Sequence, residues 1–344
     1  MKALVMESYK QMTYKEVPTP TVVDANDVLI SIKAAAICGS DVHGFDGSTG
    51  RRIPPVIMGH EGSGVIVEKG SAVNRFAVGD RVTFDSTIYC LRCSYCQSGA
   101  VNLCENRRVL GVSCDEYRKD GIFAEYVVVP DHILYKIPDD LSFAEAALTE
   151  PAAVGAHAFR ITPVGLNDTI AVVGSGLIGL MLIQILKAST SAQVIAIDTD
   201  AQRRNIAVQM GADAAFDPAD PQLLANIDAT IGRHGVDRVF EAVGATAPIQ
   251  TALSIVRKGG SVTLIGNVSP KIELPLQSVV TRQITLYGSC AIAGEYPIVL
   301  DMMARKLIRV TPFISATAPL EDGQEWFERL YHRQENLLKV VLEP

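Results

Sequence analysis

An uncharged run from Thr169 to Leu186, interrupted by Gly174, Gly176 and Gly179, constrains the fold of this chain more than any other stretch. Its length approaches that of a membrane span, yet the glycines fall where a strand would hand over to a helix. TIAVVG (169–174) reads as a continuous apolar strand and LIGLMLIQILKAS (177–189) as a helix. A second strand, QVIAID (193–198), and a second helix, AQRRNIAVQMG (201–211), follow, the helix stopping at Gly211. Further strands are expected at 236–244, 260–268 and 284–290, around a helix at 248–260. Strands alternating with helices mean a parallel sheet with crossover helices.

Within that frame, Gly174-Ser175-Gly176-Leu177-Ile178-Gly179 has a physical role. The glycines permit a tight turn, close approach of backbone to a pyrophosphate, and close helix–strand packing. The helix N-terminus offers free N–H groups to the phosphates. Asp198 ends the second strand about 20 residues on, where a carboxylate accepts hydrogen bonds from the ribose hydroxyls of NAD. The same charge repels the extra phosphate of NADP, so NAD is the expected cofactor. Arg203 and Arg204 open the next helix and could attract that phosphate. Arg203 reads either as an adenosine contact or as part of a solvated helix face.

The remainder reads differently. VLISIKAAAI (28–37), GSGVIVEKG (62–70), DRVTF (80–84) and FAEYVVVP (123–130) are short β-rich runs with Gly and Pro punctuation, the pattern of an antiparallel barrel-like domain. Residues 141–160 are Ala-rich and helical. The terminal KVVLE (339–343) reads as a strand returning to this first domain, which makes it discontinuous. At 344 residues two domains are the natural expectation. The N-terminal MKALVMESYK has too short an apolar run for a signal peptide, so a cytoplasmic location is expected. The net charge of −7 argues against nucleic-acid or acidic-membrane partners, which want a basic face.

Seven cysteines need placing. Cys90, Cys93, Cys96 and Cys104 lie on one polar loop in C-x2-C-x2-C-x7-C spacing, enough to close a tetrahedron of thiolates around a structural Zn²⁺. In a reducing compartment such clusters favour metal over disulfides. Cys114 and Cys290 are expected to be small buried hydrophobes. Cys38, in ICGSDVH, joins His60 and Glu61, in GHEG, and Glu150, in TEP, as candidates for a second site. A thiolate, an imidazole and a carboxylate make a catalytic zinc set with a fourth position open, suited to activating an alcohol for hydride transfer. Arg51-Arg52 hints at an anionic substrate, but the favoured reading is a solvated loop pair.

These motifs, CGSDVH (38–43), GHEGSG (59–64), the four-cysteine loop, FAEY (123–126), Glu150-Pro151 and VGSGLIG (173–179), resemble those of the zinc-dependent medium-chain dehydrogenases/reductases over essentially the whole chain. The resemblance is greatest to the polyol branch, the sorbitol (L-iditol) dehydrogenases with their threonine and butanediol relatives. It implies an α/β chain with a GroES-like β-barrel catalytic domain (1–152, completed by 292–344) and a Rossmann doubly wound NAD-binding domain (153–291). The active site would lie between them. It implies two zinc ions per chain, the catalytic one on Cys38, His60 and either Glu61 or Glu150. Asp41 would aim His60, Ser40 would take the substrate proton, and His43 would pass it toward solvent. It further implies a small-molecule alcohol or polyol substrate and a homotetramer or homodimer. A zinc-free quinone reductase would need neither metal set, and a non-catalytic NAD sensor would be expected to have lost part of one.

Overall fold

The computed structural model describes residues 1–114 and 117–344. The chain forms two compact units, one of residues 1–150, 292–305 and 310–344, the other of 151–291 and 306–309.

In the first unit the strand Asp27–Ala36 is the hub of a seven-stranded sheet. It pairs antiparallel with Glu61–Lys69, with Tyr126–Pro130 and, at its far end, with Lys339–Glu343. Arg81–Phe84 and Leu134–Lys136 extend the sheet on one side and Ile314–Pro319 on the other. A three-stranded sheet of Gln11–Glu16, Lys2–Ser8 and Val56–Ile57 belongs to the same unit. The core between them holds Phe45, Phe84, Phe123 and Phe327, all essentially inaccessible to water. Burying each such ring contributes on the order of 1.5–3 kcal/mol. Phe327, Val340 and Leu342 come from the terminal segment, so the returning chain completes this core.

This pairing gathers three distant pieces of sequence at one end of the sheet. Ala36 is paired with Glu61, so Cys38, just past one strand, lies beside the start of the next. Ile37 donates its backbone N–H to Val340 at 2.9 Å, which brings Lys339 alongside. Gly59 turns the chain into His60 at φ +91°, and a Cβ there would sit 2.8 Å from the Phe123 ring. Glycine is therefore needed for both backbone and space.

The second unit is a six-stranded parallel sheet in the order Ala214–Phe216, Gln193–Ile197, Thr169–Val173, Val236–Glu241, Val256–Leu264, Thr285–Gly288. The first strand in sequence is central and wholly buried, as its unbroken apolar run requires. The chain winds outward from it in one direction, then returns to wind in the other. The glycine loop therefore sits at the switch point, where α/β sheets take their ligands. One expected helix is shorter than the sequence suggests: it spans Thr246–Ile255, and Val256 already opens the next strand. A β-branched pair meets the edge of Val236–Glu241 there, and the register slips before Ser261 pairs with Arg238. The uncharged run divides into the strand Thr169–Val173 and the helix Leu177–Ser189. Among the described residues no helix is long and apolar enough to cross a membrane.

Candidate functional site

In the first unit one donor atom each of Cys38, His60 and Glu61 lies within 4.8 Å of the others. Cys38 caps the short helix Gly39–Gly44: its Sγ accepts from the Ser40 backbone N–H at 3.4 Å, and the Asp41 carboxylate accepts from the Cys38 N–H at 3.4 Å. The helix therefore holds both the thiol and the acid beside it in place. His60 and Glu61 are buried, while Cys38 is half-exposed, so the set opens toward solvent on the Cys38 side.

The charges around this set are anionic and mostly dry. Asp41 is fully buried, its Oδ1 2.9 Å from Arg52 Nη2 and 3.4 Å from His60 Nδ1. Burial alone would raise the Asp41 carboxyl, but His60 and Arg52 hold it far below the ordinary carboxylate range. Burial alone would lower His60, yet Asp41 and Cys38 raise it well above an ordinary histidine. His60 Nδ1 forms no aligned hydrogen bond among the described residues. Glu61 Oε2 pairs with Lys339 Nζ at 2.6 Å, both groups buried, and Lys339 also donates to the Ile37 carbonyl at 2.9 Å.

Glu150, in the first turn of the helix Thr149–Ile161, accepts from Ser86 Oγ at 3.2 Å. Burial pushes its carboxyl up to about 7, His60 opposes this and Glu61 adds to it. Asp85 is pushed up to about 8, chiefly by burial, with the Thr87 N–H opposing and Glu150 and Glu295 reinforcing. Both carboxyl groups resist ionising chiefly because burial takes their charge out of water, with neighbouring carboxylates adding to the effect. A divalent cation among a thiol, an imidazole and a carboxylate would favour the charged forms of the thiol and the carboxylate, and the three converging donors fit zinc. Of the two carboxylates expected as alternatives, Glu61 belongs to the three-donor group, and Glu150, bonded to Ser86, lies near enough to feel the charges of His60 and Glu61.

Ser40 is exposed, its Oγ donating to Cys38 Sγ at 3.3 Å. His43 lies three residues on, also exposed, on the same face of one helix turn.

The four cysteines of the loop also converge, their sulfurs within 4.8 Å of one another. Cys93 Sγ is 3.5 Å and Cys90 Sγ 4.0 Å from Cys96 Sγ. A tetrahedron with Zn–S near 2.3 Å has edges of about 3.8 Å. The backbone N–H groups of Cys90 and Asn106 donate to Cys104 Sγ at 3.3 and 3.4 Å, satisfying a sulfur that is itself buried. The Cys90 thiol is drawn down to about 6 by backbone N–H groups of Arg92 and Cys93, while burial and neighbouring thiols push Cys96 up to about 12. Such a split is what a metal would collapse by taking all four as thiolates. Cys96→Ser is expected to lower the zinc content by one ion per chain and Tm by roughly 5 °C or more. Metal analysis and a thermal melt check it; an unmoved Tm with unchanged zinc would contradict a structural site.

In the second unit the three glycines act for three reasons. Gly174 sits at φ +95°, and a Cβ on Gly179 would meet the Gly174 carbonyl oxygen at 1.9 Å, so the helix can pack only without one. Gly176 faces open space. The helix Leu177–Ser189 has no side-chain cap, which leaves the N–H groups around Leu177 and Ile178 free to receive an anion. This cradle fits a pyrophosphate. Asp198 Oδ2 accepts from the Ser175 N–H at 2.7 Å and Oδ1 from the Asp200 N–H at 2.9 Å, leaving acceptor sites over. Arg204 is committed to the Asp198 and Thr199 carbonyls and to Asp217. Arg203 is half-buried, with an Nε that has no hydrogen-bond partner among the described residues.

Three sequence expectations need correction. Arg52 is 3 % exposed and paired with Asp41; the turn that carries it faces inward, so it is no part of a solvated pair. Cys114 and Cys290 are half-exposed, because one lies on a loop and the other follows the edge strand Thr285–Gly288. Lys339 escaped sequence reading because the strand KVVLE displays only its apolar pattern.

Residues 24–139 match the family model described as alcohol dehydrogenase GroES-like domain, and residues 178–305 that described as zinc-binding dehydrogenase. The sorbitol dehydrogenase of Bacillus subtilis is 33% identical over 100% of this chain and 97% of its own length. The D-arabitol-phosphate dehydrogenase of Enterococcus avium is 34% identical over 97% and 94%. Among solved structures, the alcohol dehydrogenase of Thermus sp. ATN1 superposes with a TM-score of 0.92 at 28% identity, covering 100% of this chain and 99% of that one.

Proposed function

We propose that this chain, which belongs to the zinc-binding dehydrogenases with a GroES-like domain, oxidises a secondary hydroxyl of a polyol with NAD as acceptor. It is an oxidoreductase acting on CH–OH donors. The reading rests above all on the convergence of Cys38, His60 and Glu61 beside the exposed Ser40 hydroxyl. The first unit is the catalytic one and the second the NAD-binding one. Cys38, His60 and Glu61 hold the catalytic zinc, and Cys90, Cys93, Cys96 and Cys104 the structural one. When bound, zinc acts as a Lewis acid on the substrate hydroxyl and NAD takes up hydride.

The chain's own residues do the rest. Asp41 holds the His60 ring from behind, and Glu150 with Ser86 walls the far side of the donor set. Ser40 Oγ accepts the proton from the substrate hydroxyl, and His43 receives it at the protein surface. In the second unit the loop at 174–179 takes the pyrophosphate and Asp198 the adenosine ribose, with Arg203 beside it. Arg204 is already spent on Asp217, which supports NAD over NADP.

Relatives acting on sorbitol and D-arabitol phosphate support a polyol. The buried cations Arg52 and Lys339 are both committed to carboxylates, which favours an uncharged polyol over a phosphorylated one. We place the protein in the cytoplasm, as a dimer or tetramer. What supports assembly is the edge strand Thr285–Gly288 beside exposed Leu276 and Val280. The test is NADH formation across sorbitol, iditol, galactitol, their phosphates, vicinal diols, sugar acids and L-threonine, with either cofactor. Silence across the panel, with zinc and NAD both bound, would mean a sensor instead. In the same assay Asp198→Asn is expected to move the NAD/NADP preference toward NADP by about 10-fold or more, the scale of a hydrogen bond to a charged group. An unmoved ratio would remove Asp198 as the ribose anchor.

A further inference from the structure

Arg52 is buried to 97 % yet touches no donor atom of the metal set. Its Nη2 and Nε donate to Asp41 Oδ1 at 2.9 and 3.3 Å, and the same Nη2 donates to Ser40 Oγ at 3.4 Å. One guanidinium therefore spans two chains of contact: through Asp41 to His60, and through Ser40 to Cys38 Sγ. The surroundings are built around it. Ser113, fully buried, binds the backbone on both sides of Arg52: its Oγ accepts from the Ile53 N–H and donates to the Ile53 carbonyl, and its N–H donates to the Arg51 carbonyl. Gly44, in the helix that carries Ser40, leaves room for the Arg52 stem; a Cβ there would lie 2.4 Å from Arg52 Cγ.

We propose that Arg52 is a positioning residue that sets the hydrogen-bond polarity of the Ser40 hydroxyl while holding the Asp41 support of His60. This rests on the reading of Ser40 as the group that takes the substrate proton. A serine hydroxyl has one proton and two lone pairs, and arginine only donates. The Arg52 contact fills one lone pair and turns the Ser40 proton away from itself. One lone pair is left to accept from the substrate hydroxyl. In the transfer the proton already on Ser40, which points to Cys38 Sγ, first leaves Oγ for water on the exposed Ser40–His43 face, and the substrate O–H bond then breaks as a new O–H bond forms at Ser40 Oγ. Ser40 is neutral before and after, and the guanidinium, charged at all accessible pH, offsets the negative charge that builds on Oγ between the two events. A lysine would keep the charge beside Asp41 but not the planar fork that reaches both partners.

The test uses the zinc-loaded full chain with NAD and sorbitol, or whichever polyol of the panel turns over best. Arg52→Ala is expected to lower kcat by about 10²-fold, the range of a general acid–base contribution, with KM changed less than about 3-fold. Two zinc ions per chain should remain, and millimolar guanidinium should restore part of kcat. In a Ser40→Ala background the same substitution should cost clearly less than in the wild type, the remainder being what is lost through Asp41 and His60. The visible bands of the cobalt(II)-substituted protein should shift on Arg52→Ala, through Asp41 and His60, and should shift again on Arg52→Ala in the Ser40→Ala background, where the bond from Ser40 to Cys38 Sγ is already gone. If Arg52→Ala fails to fold, Gly44→Ala, whose methyl displaces the arginine stem without a cavity, should lower kcat in the same KM-independent way. Wild-type kcat in the variant, or a full loss repeated in the Ser40→Ala background, would overturn the proposal. Wild-type kcat in Ser40→Ala itself would instead overturn the relay reading on which it rests.

Discussion

Cys38→Ser is expected to abolish turnover, a loss of about 10³-fold or more, while the protein stays folded and binds NAD. The argument is local. Cys38 is half-exposed at the start of a six-residue helix, not in the core. Serine is itself a good N-cap, so the Ser40 N–H keeps an acceptor and the helix keeps its start. What disappears is the sulfur donor. A neutral hydroxyl in its place holds zinc far less well, and a Lewis acid worth several kcal/mol leaves with it, each 1.4 kcal/mol being a factor of ten. Zinc per chain should fall from two to one, with Tm nearly unmoved. This is the reverse of Cys96→Ser, where the fold loses a clamp. Activity near wild type, or loss of both ions together, would refute the division into a reactive and a structural metal.

Only the structural half of that proposed division is legible in spacing alone. Four cysteines on one loop need no tertiary information to be read as a metal clamp, and the glycine loop announces itself between a strand and a helix of unmistakable period. The convergence of Cys38 with His60 was a weaker inference. It depends on Ala36 pairing with Glu61, a register that single-sequence patterns do not contain. Arg52 and Lys339 lay beyond reach altogether. Each is a long cation on a stretch whose visible pattern says something else: a loop of small and polar residues for one, an apolar strand for the other. Their meaning comes from what faces them after folding. The surplus of buried carboxyl groups at Asp41, Asp85 and Glu150 could have prompted a search for buried cations, but in sequence these acids look like any others.

Lys339→Met, which leaves Glu61 buried without its cation, should give the second large effect, this time on stability. Lys339 and Glu61 are both buried, and their ion pair spans the last strand of the chain and one of the candidate ligands. Burial opposes the charge on Lys339, but Glu61 and Cys38 raise its ammonium above the ordinary lysine value. Its contribution is therefore complete below the unfolded-state pKa of lysine, neutral pH included, and is lost only as pH rises through the raised folded value. Removing one partner of a buried pair typically costs 3–5 kcal/mol, because the other charge stays buried and unpaired. In zinc-stripped protein this should lower Tm by roughly 10 °C. In zinc-loaded protein the loss should be much smaller, since the metal at the Cys38–His60–Glu61 group takes over the role of the lost cation. Glu61 would then be bound by the ion without competition from an ammonium, so zinc should leave the variant more slowly. Adding Glu61→Gln to Lys339→Met should recover stability in the stripped protein, because no unpaired charge remains. Thermal melts with and without chelator, together with the rate of zinc release, measure all three. An identical Tm loss in both states would mean that Lys339 serves only the strand, and that Glu61 does not share its charge with a metal.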